Sequence, residues 1–230
     1  MKKGDIRKQE ILDTAEQLFC QKGYEETSIQ DILDRLHTSK GSFYHHYISK
    51  ESLLEGMCSR RAEQIYHAAA EKLNNQKDDV WNLNQLLSGM IPYRDEKLSF
   101  LLMLLPIFHS TDGRTVRIYY CDALSEHFRP DVKKYIRNGN EKGNMCCQDP
   151  DIMADIILSN INGLWTGICD RIMTYEEMRT ETDLTELLRM TECYRLVIER
   201  SLSIPYGTLE LNEMLSLKTL CEQIHNHWSY

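Results

Sequence analysis

From Thr38 the chain reads Thr38-Ser39-Lys40-Gly41-Ser42-Phe43-Tyr44-His45-His46-Tyr47-Ile48-Ser49-Lys50, a run dense in hydroxyls, imidazoles and ammonium groups. Between Arg35 and Lys50 there are three cations, three histidines and no carboxylate. On a helix turning about 100° per residue, Phe43 and Tyr47 fall about 40° apart, a seam that packs against neighbouring helices. Gly41 and His45 lie opposite that seam, flanked by Ser42 and Tyr44. This outer face is small, hydroxylated or basic. It is poor at burying apolar area and suited to lie against a phosphate-lined groove. A solvated helix end would have the same composition, so the surrounding elements decide between the two readings.

Those elements are helical. Ile11, Leu12, Ala15, Leu18 and Phe19 recur with helical spacing, and Gly23 follows Lys22 as a left-handed terminator. Thr27 or Ser28 caps a second helix, with Gln30 or Asp31 completing a capping box and Ile29, Ile32, Leu33 and Leu36 forming its apolar stripe. After a turn at His37-Thr38, Ser39 caps the short helix that carries the polar face. Two short helices joined tightly behind a longer one spell a helix-turn-helix. Ser49 then caps a long fourth helix with a stripe through Leu53, Leu54, Met57, Ile65 and Ala68, which would transmit between this unit and the rest.

Composition narrows the class. The chain has 230 residues, 42% of them apolar, and five prolines, as expected for a globular protein. The first 61 residues carry ten Lys+Arg against ten Asp+Glu, so the net charge of −8 belongs to the remainder. A local positive strip on a neutral domain suffices for groove docking. The apolar run Phe100 to Phe108 is too short to span a bilayer, and charges interrupt the place of a signal peptide's core. The expectation is a cytoplasmic protein with no membrane partner and eight reduced cysteines. Cys146 and Cys147 are adjacent, which suits neither zinc nor an unstrained disulfide. Cys20, Cys58, Cys169 and Cys193 read as small buried hydrophobes. Without a nucleophile motif, phosphate loop or metal spacing, neither an enzyme nor a cofactor or metal is expected.

The pattern Ile11-Leu12-x-x-Ala15-x-x-Leu18-Phe19-x-x-x-Gly23-Tyr24, then Thr27-Ser28-Ile29 and Ile32, then Ser39 to Tyr47 and Lys50-Glu51-x-Leu53, resembles the TetR-type (tetracycline-repressor-like) transcriptional regulators of bacteria. The match runs from residue 7 to about 57 without a gap. The resemblance implies that Thr27, Ser28, Tyr44, His45 and Lys50 hold backbone phosphates. It also implies that Ser39, Lys40, Gly41 and Ser42, with Thr38 beside them, meet base edges or the nearest phosphates. Tyr47 stands where phenylalanine is usual, and His46 belongs to the packing side.

Beyond residue 48 the apolar series stay helical and no strand signal occurs. The expected fold is all-α, with a three-helix DNA-binding domain over 1–48 and a larger ligand-binding and dimerisation domain over 49–230. Helices are expected to stop at Pro92, near Pro106 and at Pro130, and another to begin at Asp149-Pro150. A series from Met153 to Ile168 and another from Leu184 to Leu202 form a helix pair. The resemblance makes that pair a four-helix dimer interface, carried by Ile161, Leu164, Ile168, Leu188, Tyr194 and Ile198, with Gly163 and Gly167 permitting close approach. Ordinary packing within one chain would read the same way. A terminal helix spans Leu211 to Trp228.

What is expected is a homodimeric repressor on a palindromic operator of double-stranded DNA, released by a small-molecule inducer. Pocket candidates are Phe100, Met103, Phe108, Tyr119, Tyr120 and Trp165, residue types that fill cores as readily as pockets. If Lys40 and Lys50 of both subunits neutralise phosphates, log affinity falls with log salt at a slope of about −3.6. An activator, or a DNA-bound structural or division factor without an inducer, would share the fold.

Overall fold

In the computed structural model the described residues are 3–91, 98–109, 113–178, 180–211 and 214–228. They form ten helices and, among them, no strand. The helices are α1 (Lys3–Lys22), α2 (Ile29–Leu36), α3 (Lys40–Tyr44), α4 (Lys50–Ala70), α5 (Asp79–Met90), α6 (Leu98–His109), α7 (Gly113–Lys142), α8 (Pro150–Glu177), α9 (Leu184–Ser201) and α10 (Met214–Trp228). Packing divides them into two compact units: Met1–Ala62 with Ser99–Ala123, and Glu63–Leu98 with Leu124–Tyr230.

In the first unit α1 packs on α2. Ile11, Leu12, Ala15 and Phe19 meet a core completed by Ile32, Leu33, Phe43, Leu53, Leu54 and Met57, all at most 2% exposed. Phe19 meets Tyr24 edge-on at 5.1 Å between ring centres, which seats the turn after α1 on this core. Arg60 of α4 fastens α1 from outside. It pairs with Asp13 at 2.5 Å and Glu16 at 2.7 Å and donates to Gln9 Oε1 at 3.1 Å.

In the second unit α8 packs on α9 and α5, and α10 covers α8 and α9. Asp149 caps α8 through the N–H groups of Asp151 and Ile152, with Pro150 in the first turn. Ile157, Leu158, Ile161, Leu164, Trp165, Ile168 and Ile172 are at most 1% exposed. The indole N–H of Trp165 donates to Asn162 Oδ1 at 3.2 Å, and Asn162 Nδ2 donates to Ser125 Oγ at 2.9 Å. By length and composition α8 could cross a bilayer, as core helices of folded proteins also can; here one face of it packs against α9 and α5.

Two prolines do not stop helices. Pro130 lies inside α7, which continues to Lys142, and α6 runs through Pro106 to His109. Pro92 lies outside the described residues. A proline inside a helix costs about 3 kcal/mol through a lost donor and a steric clash. In α7 the buried stripe Leu124, Phe128, Val132, Tyr135 and Ile136, at most 4% exposed, runs across both sides of Pro130. Each such side chain contributes roughly 1.5–3 kcal/mol, which outweighs that cost. Gly143, at φ +76°, ends the helix instead.

Candidate nucleic-acid interface

The approach to α3 is set by caps. Gly23 takes φ +87° after α1, and Ser28 caps α2 in a reciprocal box with Asp31. Asp31 also pairs with Lys22 at 2.8 Å. The Lys22 ammonium first, and Ser28 second, hold its carboxyl well below the usual carboxylate range. α2 ends on His37 in the left-handed region (φ +49°), where Thr38 N–H reaches Leu33 O at 3.0 Å and His37 N–H reaches Asp34 O at 3.3 Å. That is the double closure usually built on glycine. Ser39 then caps α3 by accepting from Ser42 N–H at 3.4 Å.

α3 is shorter than the expected rod, ending at Tyr44 with His45 as its cap. Its inner seam is fixed: Phe43 is 0% and Tyr47 4% exposed. Ser39, Lys40, Gly41, Tyr44 and His45 are exposed, while Thr38, Ser42 and His46 are half-buried. His45 and His46 meet edge-on at 4.8 Å. Ser28 is exposed at the start of α2. The exposed groups of α3 and its caps are thus hydroxylated or basic, and the exposed cap of α2 is hydroxylated.

Two expected phosphate contacts are not among those groups. Thr27 is fully buried, its hydroxyl donating to Gly23 O at 2.7 Å and Leu18 O at 3.3 Å, so it closes the α1–α2 turn instead of reaching outward. Lys50 is half-buried and turned inward. Its Nζ donates to Tyr24 O at 2.9 Å, Thr27 O at 3.2 Å and Glu25 O at 3.4 Å, and lies 4.2 Å from the centre of the Tyr24 ring. The ammonium gathers the orphan carbonyls of one turn, a positioning role for the surface beside it. Sequence reasoning also missed Arg60, whose three partners on α1 are 44 to 51 residues away in sequence. Ile48, 83% exposed where α3 gives way to α4, was likewise not singled out.

The pocket candidates separate. Phe100, Met103, Phe108 and Tyr120 are 1–7% exposed in the first unit, with Phe100 and Tyr120 rings 5.9 Å apart. The Arg61 guanidinium lies 5.3 Å from the Phe100 ring, and Arg117 lies 5.9 Å from the Phe108 ring and donates to Phe108 O. Tyr119 is 40% exposed and does not join them. Trp165 belongs to the second unit and is core there.

Four expected interface residues, Ile161, Leu164, Ile168 and Ile198, are 0–1% exposed and face the interior of their own protomer. The glycines serve the same intrachain contact. A Cβ on Gly163 would stand 3.3 Å from the Tyr194 hydroxyl, and one on Gly167 3.5 Å from Met190 Cε. Leu188 and Tyr194 are half-buried. Among the cysteines, Cys58 and Cys169 are buried as expected, but Cys20 and Cys193 are exposed.

A long scaffold helix, a capped two-helix turn and an outward polar face define a helix-turn-helix protein of all-α architecture. Residues 11–57 match the family described as bacterial regulatory proteins, tetR family. Over those residues the chain carries a DNA-binding domain of the tetR type, and the rest of the chain is similar to regulators that share it. The HTH-type transcriptional repressor NemR of Escherichia coli is 29% identical over 70% of this chain and 80% of its own length. The HTH-type transcriptional regulator YerO of Bacillus subtilis is 29% identical over 52% of this chain, which spans only 42% of that relative's length. A transcriptional regulator from Saccharomonospora viridis, solved in complex with choline, has the same fold at a TM-score of 0.56 and 23% identity, over 85% of this chain and 96% of that one.

Proposed function

We propose that this chain is a sequence-specific transcriptional repressor that binds a palindromic operator as a homodimer and is released by a small molecule. The observation that carries the reading is the division of α3 and the turn that follows it: Phe43 and Tyr47 are buried while Lys40, Gly41, Tyr44 and His45 are exposed. Residues 1–48 read DNA and 49–230 hold the dimer contact and the ligand. Two copies would present their α3 helices to successive major grooves, about 34 Å apart. Lys40, Ser39 and Gly41 sit where base edges are met, with Ser28, Tyr44 and His45 toward phosphates. The repressor named above and the choline complex of a relative support repression and a small-molecule inducer. Release needs a ligand that prefers the non-binding state by roughly 5 kcal/mol.

With Lys50 turned inward, Lys40 contributes two phosphate neutralisations per dimer, a salt-slope share of about −1.8. The test begins with the DNA fragment the protein protects beside its own gene. Lys40→Ala is expected to abolish tight binding, leave a folded dimer and flatten the residual slope by that amount. Lys50→Ala is expected to lower thermal stability while keeping the slope. An unchanged operator affinity in Lys40→Ala would overturn the assignment.

A further inference from the structure

Cys146 and Cys147 are adjacent in the segment that joins α7 to α8, and DNA reading makes no use of them. Cys146 is exposed and Cys147 half-buried, both as free thiols. Their backbone is fastened on both sides. Cys146 N–H donates to Leu202 O at 2.8 Å, and its carbonyl accepts from Ser203 Oγ at 3.1 Å. Cys147 N–H donates to Asn140 Oδ1 at 2.9 Å. The dithiol is therefore held on a span tied to α7 and to the turn after α9, within one unit.

Chemistry narrows what such a pair can take. Consecutive Cα atoms stand about 3.8 Å apart, short of the usual 4.4–6.8 Å across a disulfide, so direct oxidation closes a strained ring. Zinc takes four ligands, and among the described residues no group of three or more His, Cys, Asp or Glu is placed to hold a metal. A soft centre that needs two sulfurs and widens the ring by one atom has neither difficulty.

We propose that Cys146 and Cys147 form a two-sulfur site for trivalent organoarsenicals of the type R–As(OH)2. Each thiol S–H bond and each As–OH bond breaks, two As–S bonds form, and two water molecules leave. Arsenic stays trivalent and no electron is transferred. The exposed Cys146 engages first, and Cys147 closes the ring within the same molecule, which multiplies retention by roughly a hundredfold or more over a single thiol. Cys20 and Cys193 are exposed but have no cysteine next to them in the chain, and Cys58 and Cys169 are buried.

The test uses the reduced full chain with one equivalent of phenylarsine oxide under native conditions. One adduct, loss of two titratable thiols and mapping to the peptide holding both residues are expected. The adduct should resist excess monothiol and come off with a 1,2-dithiol. Cys146→Ser and Cys147→Ser should each lower retention roughly a hundredfold, whereas Cys20→Ser and Cys193→Ser should leave it unchanged, with circular dichroism confirming the fold of each variant. Adduct on other cysteines, full retention in both single variants, or no adduct on the folded protein would overturn the site.

Discussion

Tyr47 carries a hydroxyl into a place that offers it nothing. The ring is 4% exposed, packed on Phe43 at 6.1 Å between centres, and its oxygen has no hydrogen-bond partner among the described residues. Burial pushes the phenol up to about 12, so it stays neutral at any working pH. Gly56 makes room for the ring, since a Cβ there would come within 2.9 Å of Tyr47 Cε1. An unpaired buried hydroxyl costs about 1–3 kcal/mol, and deleting it leaves the packing intact. Tyr47→Phe is therefore expected to raise the melting temperature by about 2–12 °C with operator affinity unchanged. Scanning calorimetry decides it, and a lower melting temperature would show that the oxygen has a use.

The helices show which signals a sequence carries and which it does not. Caps are local, and Gly23, the Ser28–Asp31 box, Ser39 and Asp149 were legible because donor, acceptor and spacing lie within four residues. Pro130 misled because its local penalty is visible while the compensating stripe on both sides of it is buried against distant elements. Lys50 misled likewise: a lysine beside a basic surface looks free until Tyr24, Glu25 and Thr27 turn their carbonyls toward it. The Asp31 box supplies a test at this scale. Lys22 and Ser28 lower the folded-state pKa of the carboxyl, so between that value and the ordinary one the folded chain binds fewer protons than the unfolded chain. Its stabilisation is present above about pH 4 and is lost as pH falls through the depressed value. Asp31→Asn cannot titrate. Its melting temperature should lie below that of the parent at pH 7, and the gap should narrow as pH drops below about 4. A gap that stays constant through the acid range would mean the carboxylate contributes nothing by being charged.

For the whole molecule the question is which apolar surface remains after the protomer has folded. The buried faces of α8 and α9 are spent on each other, and Gly163 against Tyr194 with Gly167 against Met190 fixes their antiparallel register. That register leaves Ile152 and Ile156 on α8 and Val197 on α9 at 59%, 45% and 50% exposed, beside half-buried Tyr194. Large side chains clustered this way on two neighbouring helices are what a two-fold contact would cover. The outward positions, not the inward ones, are therefore the ones proposed to meet the second copy, and the two sets respond differently to substitution. Ile156→Glu places a charge on a surface the lone protomer already exposes. It should fold, sediment as a monomer and bind operator roughly a hundredfold to ten-thousandfold more weakly, because the second half-site contact is no longer intramolecular. Ile161→Ala empties a site that is 0% exposed and should cost about 2–5 kcal/mol of protomer stability while leaving a dimer of whatever remains folded. Sedimentation equilibrium separates the two outcomes: an Ile156→Glu protein that stays dimeric at micromolar concentration would place the two-fold contact elsewhere on the chain.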